Sequence, residues 1–141
     1  MKASAFTLPR GTALYEENRK TYDGKRKWFV PDAYLPATSS GEAVSHEAAC
    51  LLNTSDTDAH VRFTFYFEDR NPIGPIDVTL HARRTWHVRL DDPNAIGGVE
   101  LPRGVPYAYT VESDVPIVLQ HSRLDTSAGA YTLFTTIAYG E

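Results

Sequence analysis

The sequence predicts an all-β protein, an antiparallel β-sandwich of about eight short strands, and three observations carry that expectation. Apolar residues alternate with a period of two from Val44 to Tyr139, each block ends at Gly, Pro, Asn or Asp, and helical spacing is scarce. In chain order, a first strand is expected over Trp28 to Tyr34 and a second over Val44 to Asn53, both with less regular patterns. The clearest runs from His60 to Glu68. There Val61, Phe63, Phe65 and Phe67 share one face and Arg62, Thr64, Tyr66 and Glu68 the other, so one side is core and the other is wet or in an interface. Further strands are expected over Ile76 to Leu80, Arg84 to Leu90, Tyr107 to Glu112, Pro116 to Arg123 and Tyr131 to Tyr139. The connectors 53–58, 71–75, 113–116 and 125–129 carry turn residues that suit hairpins. Asp91 to Pro106, with Pro93, Gly97, Gly98, Pro102 and Gly104, is too long for a hairpin turn and too rich in breakers for a strand. It is expected as a long loop of the kind that lines binding sites.

The chain has 141 residues, enough for one domain, and its balance of apolar and charged residues is that of a soluble globular protein. Its net charge of −4 conceals a split. Residues 1–27 hold every lysine and carry +4, whereas residues 28–141 carry −8 and have only arginines as cations. The expected organisation is a basic N-terminal extension, 1–27, followed by one β-sandwich domain, 28–141, with Lys25, Arg26 and Lys27 in a solvated arm. An acidic body disfavours nucleic acid as a partner, because phosphate binding draws on clustered positive charge. The single cysteine, Cys50, lies in an apolar stretch and is expected as a buried, inert thiol. No signal peptide or membrane-spanning stretch is evident, so the cytoplasm is the expected location.

No P-loop, GxGxxG, GxSxG, HExxH or CxxC pattern is present, and no enzyme activity or cofactor is expected. The five histidines lack close ligand spacing, so no metal site is expected either. Three polar groups remain. His46 and Glu47 begin an apolar strand, but neighbours on a strand face opposite ways, so they do not share a pocket; one is a ligand contact or is buried and hydrogen-bonded. Arg83, Thr85, His87 and Arg89 fall on one face of their strand, a basic row suited to carboxylates, hydroxyls or a neighbouring subunit, or to pairing with Glu68, Asp69 or Asp77. Gln120, Ser122, Arg123 and Asp125 end a strand with an apolar beginning, which fits a pocket rim or an internal Arg123–Asp125 brace.

Six ordered segments, SHEAACLLN (Ser45–Asn53), DAHV (Asp58–Val61), PIGP (Pro72–Pro75), ARRTWHVR (Ala82–Arg89), SDVPIVLQHSRLD (Ser113–Asp125) and TIAY (Thr136–Tyr139), resemble the Anabaena sensory rhodopsin transducer family. The resemblance implies an antiparallel β-sandwich that forms a homotetramer. It implies two layers of function: a cytoplasmic partner of a membrane sensory rhodopsin, and a domain that binds a small molecule, with sugars favoured. The residues it carries over are His46, Glu47, Arg83, Arg84, His87, Gln120, Ser122, Arg123 and Asp125. Departures from the family are the N-terminal extension and Val30–Tyr34, where Asp32 stands in for an acidic residue that the family follows with glycine.

The expected function is therefore a non-catalytic module that binds a sugar or sugar acid and signals, the alternative being an adaptor that works by protein contacts alone. Trp28, Tyr34 or Trp86 would stack on a sugar ring while Arg, Gln and Asp side chains fork to its hydroxyls. Tyr66, Trp86, Tyr107 or Tyr109, and Tyr131 or Tyr139 on the wet faces predict a homo-oligomer.

Overall fold

Side chains that alternate along a chain can all reach one core only if the backbone is extended, and the observed strands obey that rule. The computed structural model describes residues 24–141. It contains eight strands: β1 Lys25–Tyr34, β2 His46–Asn53, β3 Ala59–Phe67, β4 Ile73–Leu80, β5 Arg84–Arg89, β6 Pro106–Asp125, β7 Thr132–Ile137 and β8 Tyr139–Gly140. A single 3₁₀ turn, Pro93–Ile96, interrupts the long loop between β5 and β6. Pairing is antiparallel throughout. One layer runs β4-β3-β6-β1-β8 and the other β5-β2-β6-β7, so β6 belongs to both.

That sharing corrects two expectations. Ser113–Pro116 is no hairpin connector but the middle of a 20-residue strand. Tyr107–Ser113 pairs with β3, Val118–Leu124 pairs with β2, and the Ser113 hydroxyl accepts the Val115 N–H where the strand passes from one layer to the other. Pro116 at this crossing has no N–H to offer a ladder, which suits a position where pairing changes hands. Conversely, Tyr131–Tyr139 is not one strand. It breaks at the buried Ala138, whose N–H bonds to Leu119 O, so that β7 stays in one layer and β8 joins β1 in the other.

The core lies between the layers. Val61, Phe63 and Phe65 from β3 meet Tyr107, Tyr109 and Val111 from β6, with Ala49, Leu51, Val88 and Leu119 opposite. The Phe63, Phe65 and Tyr109 rings pack with centroids 5.9–6.0 Å apart, and burial of each stabilises by roughly 1.5–3 kcal/mol. Tyr107 and Tyr109 thus belong to the core rather than to a wet face. Trp28 is also buried, and its indole N–H is committed to the carbonyls of Lys25 and Ile117, so it is not available to stack on a ligand.

On the outer face of the first layer, Lys27, Glu112, Arg62 and Asp77 stand in one cross-strand row of alternating charge. The end pairs close at 3.7 Å for Lys27–Glu112 and 2.9 Å for Arg62–Asp77. β1 accordingly starts at Lys25, and Lys25–Lys27 are exposed strand residues rather than a separate arm. Cys50 is half-buried on the outer face of the second layer, its Sγ 3.7 Å from Ser122 Oγ, instead of lying in the core.

Candidate functional site

β2 places Glu47, Ala49, Leu51 and Asn53 on the buried face. Three of these are ordinary for a core, but Glu47 brings a carboxylate into it, which is tolerated only if donors replace the lost water. Four do. Glu47 Oε1 accepts the Tyr107 hydroxyl at 2.6 Å and the Tyr34 N–H at 2.9 Å. Its Oε2 accepts His121 Nε2 at 2.7 Å and Arg123 Nε at 3.0 Å. Behind His121, the Tyr109 hydroxyl meets Nδ1 at 2.8 Å. Burial alone would raise the Glu47 pKa, but the hydrogen bonds from His121 and Tyr107, the charge of His121 and the Tyr34 N–H outweigh it and hold it below its ordinary value. Burial, and the neighbouring Glu47 charge, push the phenols of Tyr107 and Tyr109 well up, so both stay protonated, and Tyr107 donates to Glu47.

Arg123, opposite Glu47 in the β2–β6 register, is the outward end of this network. Its guanidinium lies between the Tyr34 ring at 6.0 Å and the Phe134 ring at 5.8 Å, and Asp32 Oδ1 stands 3.7 Å from Nη2. The internal Arg123–Asp125 brace does not form. Asp125 instead accepts the N–H and hydroxyl of Ser127 in the turn after β6. Sequence reasoning missed His121, Tyr107 and Tyr109, although a signal existed. His121 shares the inward parity of Leu119 and Arg123, whereas Gln120 and Ser122 face outward, Gln120 toward Thr135 and Ser122 toward Cys50.

The opposite end of β2 is built differently. Buried Asn53 donates to the carbonyls of Thr57, Leu80 and His81 and accepts from Ser55, fixing the end of β4 against the loop after β2. Asp58 accepts the Ala82 N–H at 2.7 Å and His81 Nδ1 at 3.1 Å, and these bonds, in that order, lower its pKa. Above this base the edge strands β4 and β5 leave a cleft of about 380 Å³ lined by Thr79, Leu80, His81, Arg84, Thr85 and Trp86. Trp86 is half-buried and packs on the core with its inner edge. Among the described residues, Arg84 makes one hydrogen bond, from Nη1 to the Arg83 carbonyl, and His81 leaves Nε2 uncommitted. A second cleft, about 240 Å³, is lined by Pro31, Tyr66, Phe67, Glu68, Pro106, Tyr107 and Ala108.

The candidate residues therefore divide. Glu47, Arg123 and Asp32 meet at one end of β2, and Arg84 lies in the cleft six residues along, about 20 Å away at strand rise. Arg83 is not on the strand face at all. It holds a left-handed φ of 56° in the turn before β5 and pairs with Asp56 at 3.7 Å, not with Glu68, Asp69 or Asp77. His87 is exposed on the outer face opposite Cys50, and His46 Nδ1 is bonded to Val44 O. The 91–106 loop packs Ile96 and Leu101 into the core and contributes no residue to the 380 Å³ cleft. Its Arg103 instead ties Pro36 O and Ser45 O to Asp91, which Arg89 also forks at 2.7 and 2.8 Å. No group of three or more His, Cys, Asp or Glu side chains converges among the described residues. No described helix is long and apolar enough to cross a membrane.

With this geometry in place, the relatives can be compared. The family model of the Anabaena sensory rhodopsin transducer matches residues 23–140. The crystal structure of Thermotoga maritima 1070 is 44% identical with a TM-score of 0.76, covering 84% of this chain and 97% of its own. The structure of the Anabaena sensory rhodopsin transducer is 41% identical with a TM-score of 0.62, covering 70% of this chain and 96% of its own. No curated protein matches. The fold, the ordered segments and this match over most of the chain agree, and the chain belongs to the Anabaena sensory rhodopsin transducer family.

Proposed function

We propose that the protein is a non-catalytic, cytoplasmic module that binds a small polar ligand, a sugar or sugar acid, in the cleft between β4 and β5 and signals through protein contacts. One observation carries this reading: a half-buried indole, Trp86, lines one cleft together with Arg84, His81, Thr79 and Thr85. A pyranose has an apolar C–H face and a rim of hydroxyls. An aromatic platform with a few convergent polar groups answers both, and a guanidinium adds a fork for a sugar acid's carboxylate. Catalysis fits poorly, because Glu47, among the described residues the one buried carboxylate beside a histidine, has both oxygens engaged by four donors. Calorimetry against glucose, galactose, glucuronate and galacturonate tests the reading. Binding by the wild type and a loss of tenfold or more in Trp86→Ala support it; no heat with any of the four contradicts it.

A specific observation also favours the adaptor reading. Leu52, Leu133, Ile137 and Tyr139 are exposed, Leu133 to 72%, on β2, β7 and β8. Apolar surface of this kind suits a homotetramer or a partner such as a membrane sensory rhodopsin. Light scattering at micromolar concentration gives a mass four times that of the chain if the tetramer forms, and co-purification with a rhodopsin tests the second partner.

A further inference from the structure

Arg123 is held in an unusual state. Its side chain is 22% exposed and Glu47 fixes Nε, yet Nη2 is shielded from solvent and has no hydrogen-bond partner among the described residues. A shielded guanidinium N–H without an acceptor is costly, so its surroundings identify what is missing. Two neighbours are the faces of Tyr34 and Phe134, which attract the cation but accept no ordinary hydrogen bond. The third is Asp32, whose Oδ1 at 3.7 Å is beyond hydrogen-bond range and whose side chain is 88% exposed. Asp32 sits where β1 slips register between Val30 and Ala33, next to Pro31. A carboxylate of the chain itself thus occupies the acceptor position loosely.

We propose that Arg123 is a second binding site, for a small-molecule carboxylate, and that Asp32 is its resident competitor. The incoming carboxylate displaces Asp32, enters between the Tyr34 and Phe134 rings and accepts from Nη1 and Nη2, a planar fork that matches the guanidinium edge left open by Glu47. A free carboxylate adds one negative charge beside Glu47 and the displaced Asp32, whereas a phosphate dianion would add two. Release of Asp32 is cheap because a solvated ion pair contributes little. The inference is independent of the β4–β5 cleft, which lies at the other end of β2.

The test uses the full chain at constant ionic strength and follows the Arg123 Nε–H resonance by NMR, with acetate as probe and acetamide as its neutral counterpart. Acetate should shift the resonance saturably and acetamide should not. Asp32→Asn should tighten acetate by about fivefold, the most that an exposed pair contributes. Arg84→Gln, in the cleft, should leave the titration unchanged. Equal or weaker binding by Asp32→Asn, an unmoved Arg123 resonance in both proteins, or loss of acetate binding in Arg84→Gln would each overturn the proposal. So would inorganic phosphate binding more tightly than acetate.

Discussion

The two ends of β2 use polar residues in opposite ways. At the Glu47 end the groups satisfy one another except at Arg123 Nη2: a buried carboxylate takes four hydrogen bonds, and a histidine, two tyrosines and an arginine are aligned around it. At the Asn53 end the polar groups beneath the surface are bonded to each other, but those facing the cleft, Arg84 and the Nε2 edge of His81, are largely open. The first arrangement specifies how two layers meet and leaves a single guanidinium edge at its rim; the second leaves most of its surface-facing polar groups for something else to use. What separates structure from binding here is therefore whether a polar group's partners are already present, not how polar the residue is.

Breaking the first end should have the largest effect. Glu47→Gln leaves Arg123 and His121 without their anion, and unfolding in denaturant should show a loss of about 3–5 kcal/mol. The same contribution should depend on pH. Because the folded-state pKa of Glu47 lies below its ordinary value of 4.5, its stabilisation is complete above that value and is lost as pH falls through the folded-state pKa. Thermal melts of wild type and Glu47→Gln should accordingly converge as pH falls below 4.5 and stay apart at neutral pH.

Sharpening the second end calls for a variant that spares the fold. Arg84→Ala should weaken sugar-acid binding about tenfold by calorimetry while changing stability by no more than about 0.5 kcal/mol, as expected for an exposed side chain with one local hydrogen bond. Next to it, Arg83 holds a left-handed φ that costs a non-glycine residue roughly 1 kcal/mol. Arg83→Gly should raise the denaturation midpoint modestly. Arg62→Ala in the outer-face charge row should change stability by about 0.2–1 kcal/mol, and by less in high salt.

Much of the fold was legible because alternation is a direct consequence of extended backbone. His60–Glu68 reads as one core face and one wet face, and β3 realises it from Ala59 to Phe67. The crossing of β6 was not legible: Ser113, Asp114 and Pro116 are turn residues by local chemistry, and only the partners on either side keep the chain extended. The candidate site was half legible. Glu47 and Arg123 are conspicuous as charges in apolar surroundings, but that they face each other depends on a register between strands 76 residues apart. Strand parity separates Gln120 and Ser122, which face outward, from Arg123, which faces Glu47. Trp28 illustrates a related limit, since nothing local shows that its indole N–H will be taken by Ile117.

The two tryptophans offer the most direct test of the division between the ends. Each gives one indole N–H signal in a nitrogen–proton NMR spectrum, Trp86 from the cleft wall and Trp28 from the core as an internal control. Titration with glucuronate should move the Trp86 signal saturably and leave Trp28 in place. A Trp86 signal that stays fixed up to millimolar glucuronate, galacturonate, glucose and galactose would contradict the account.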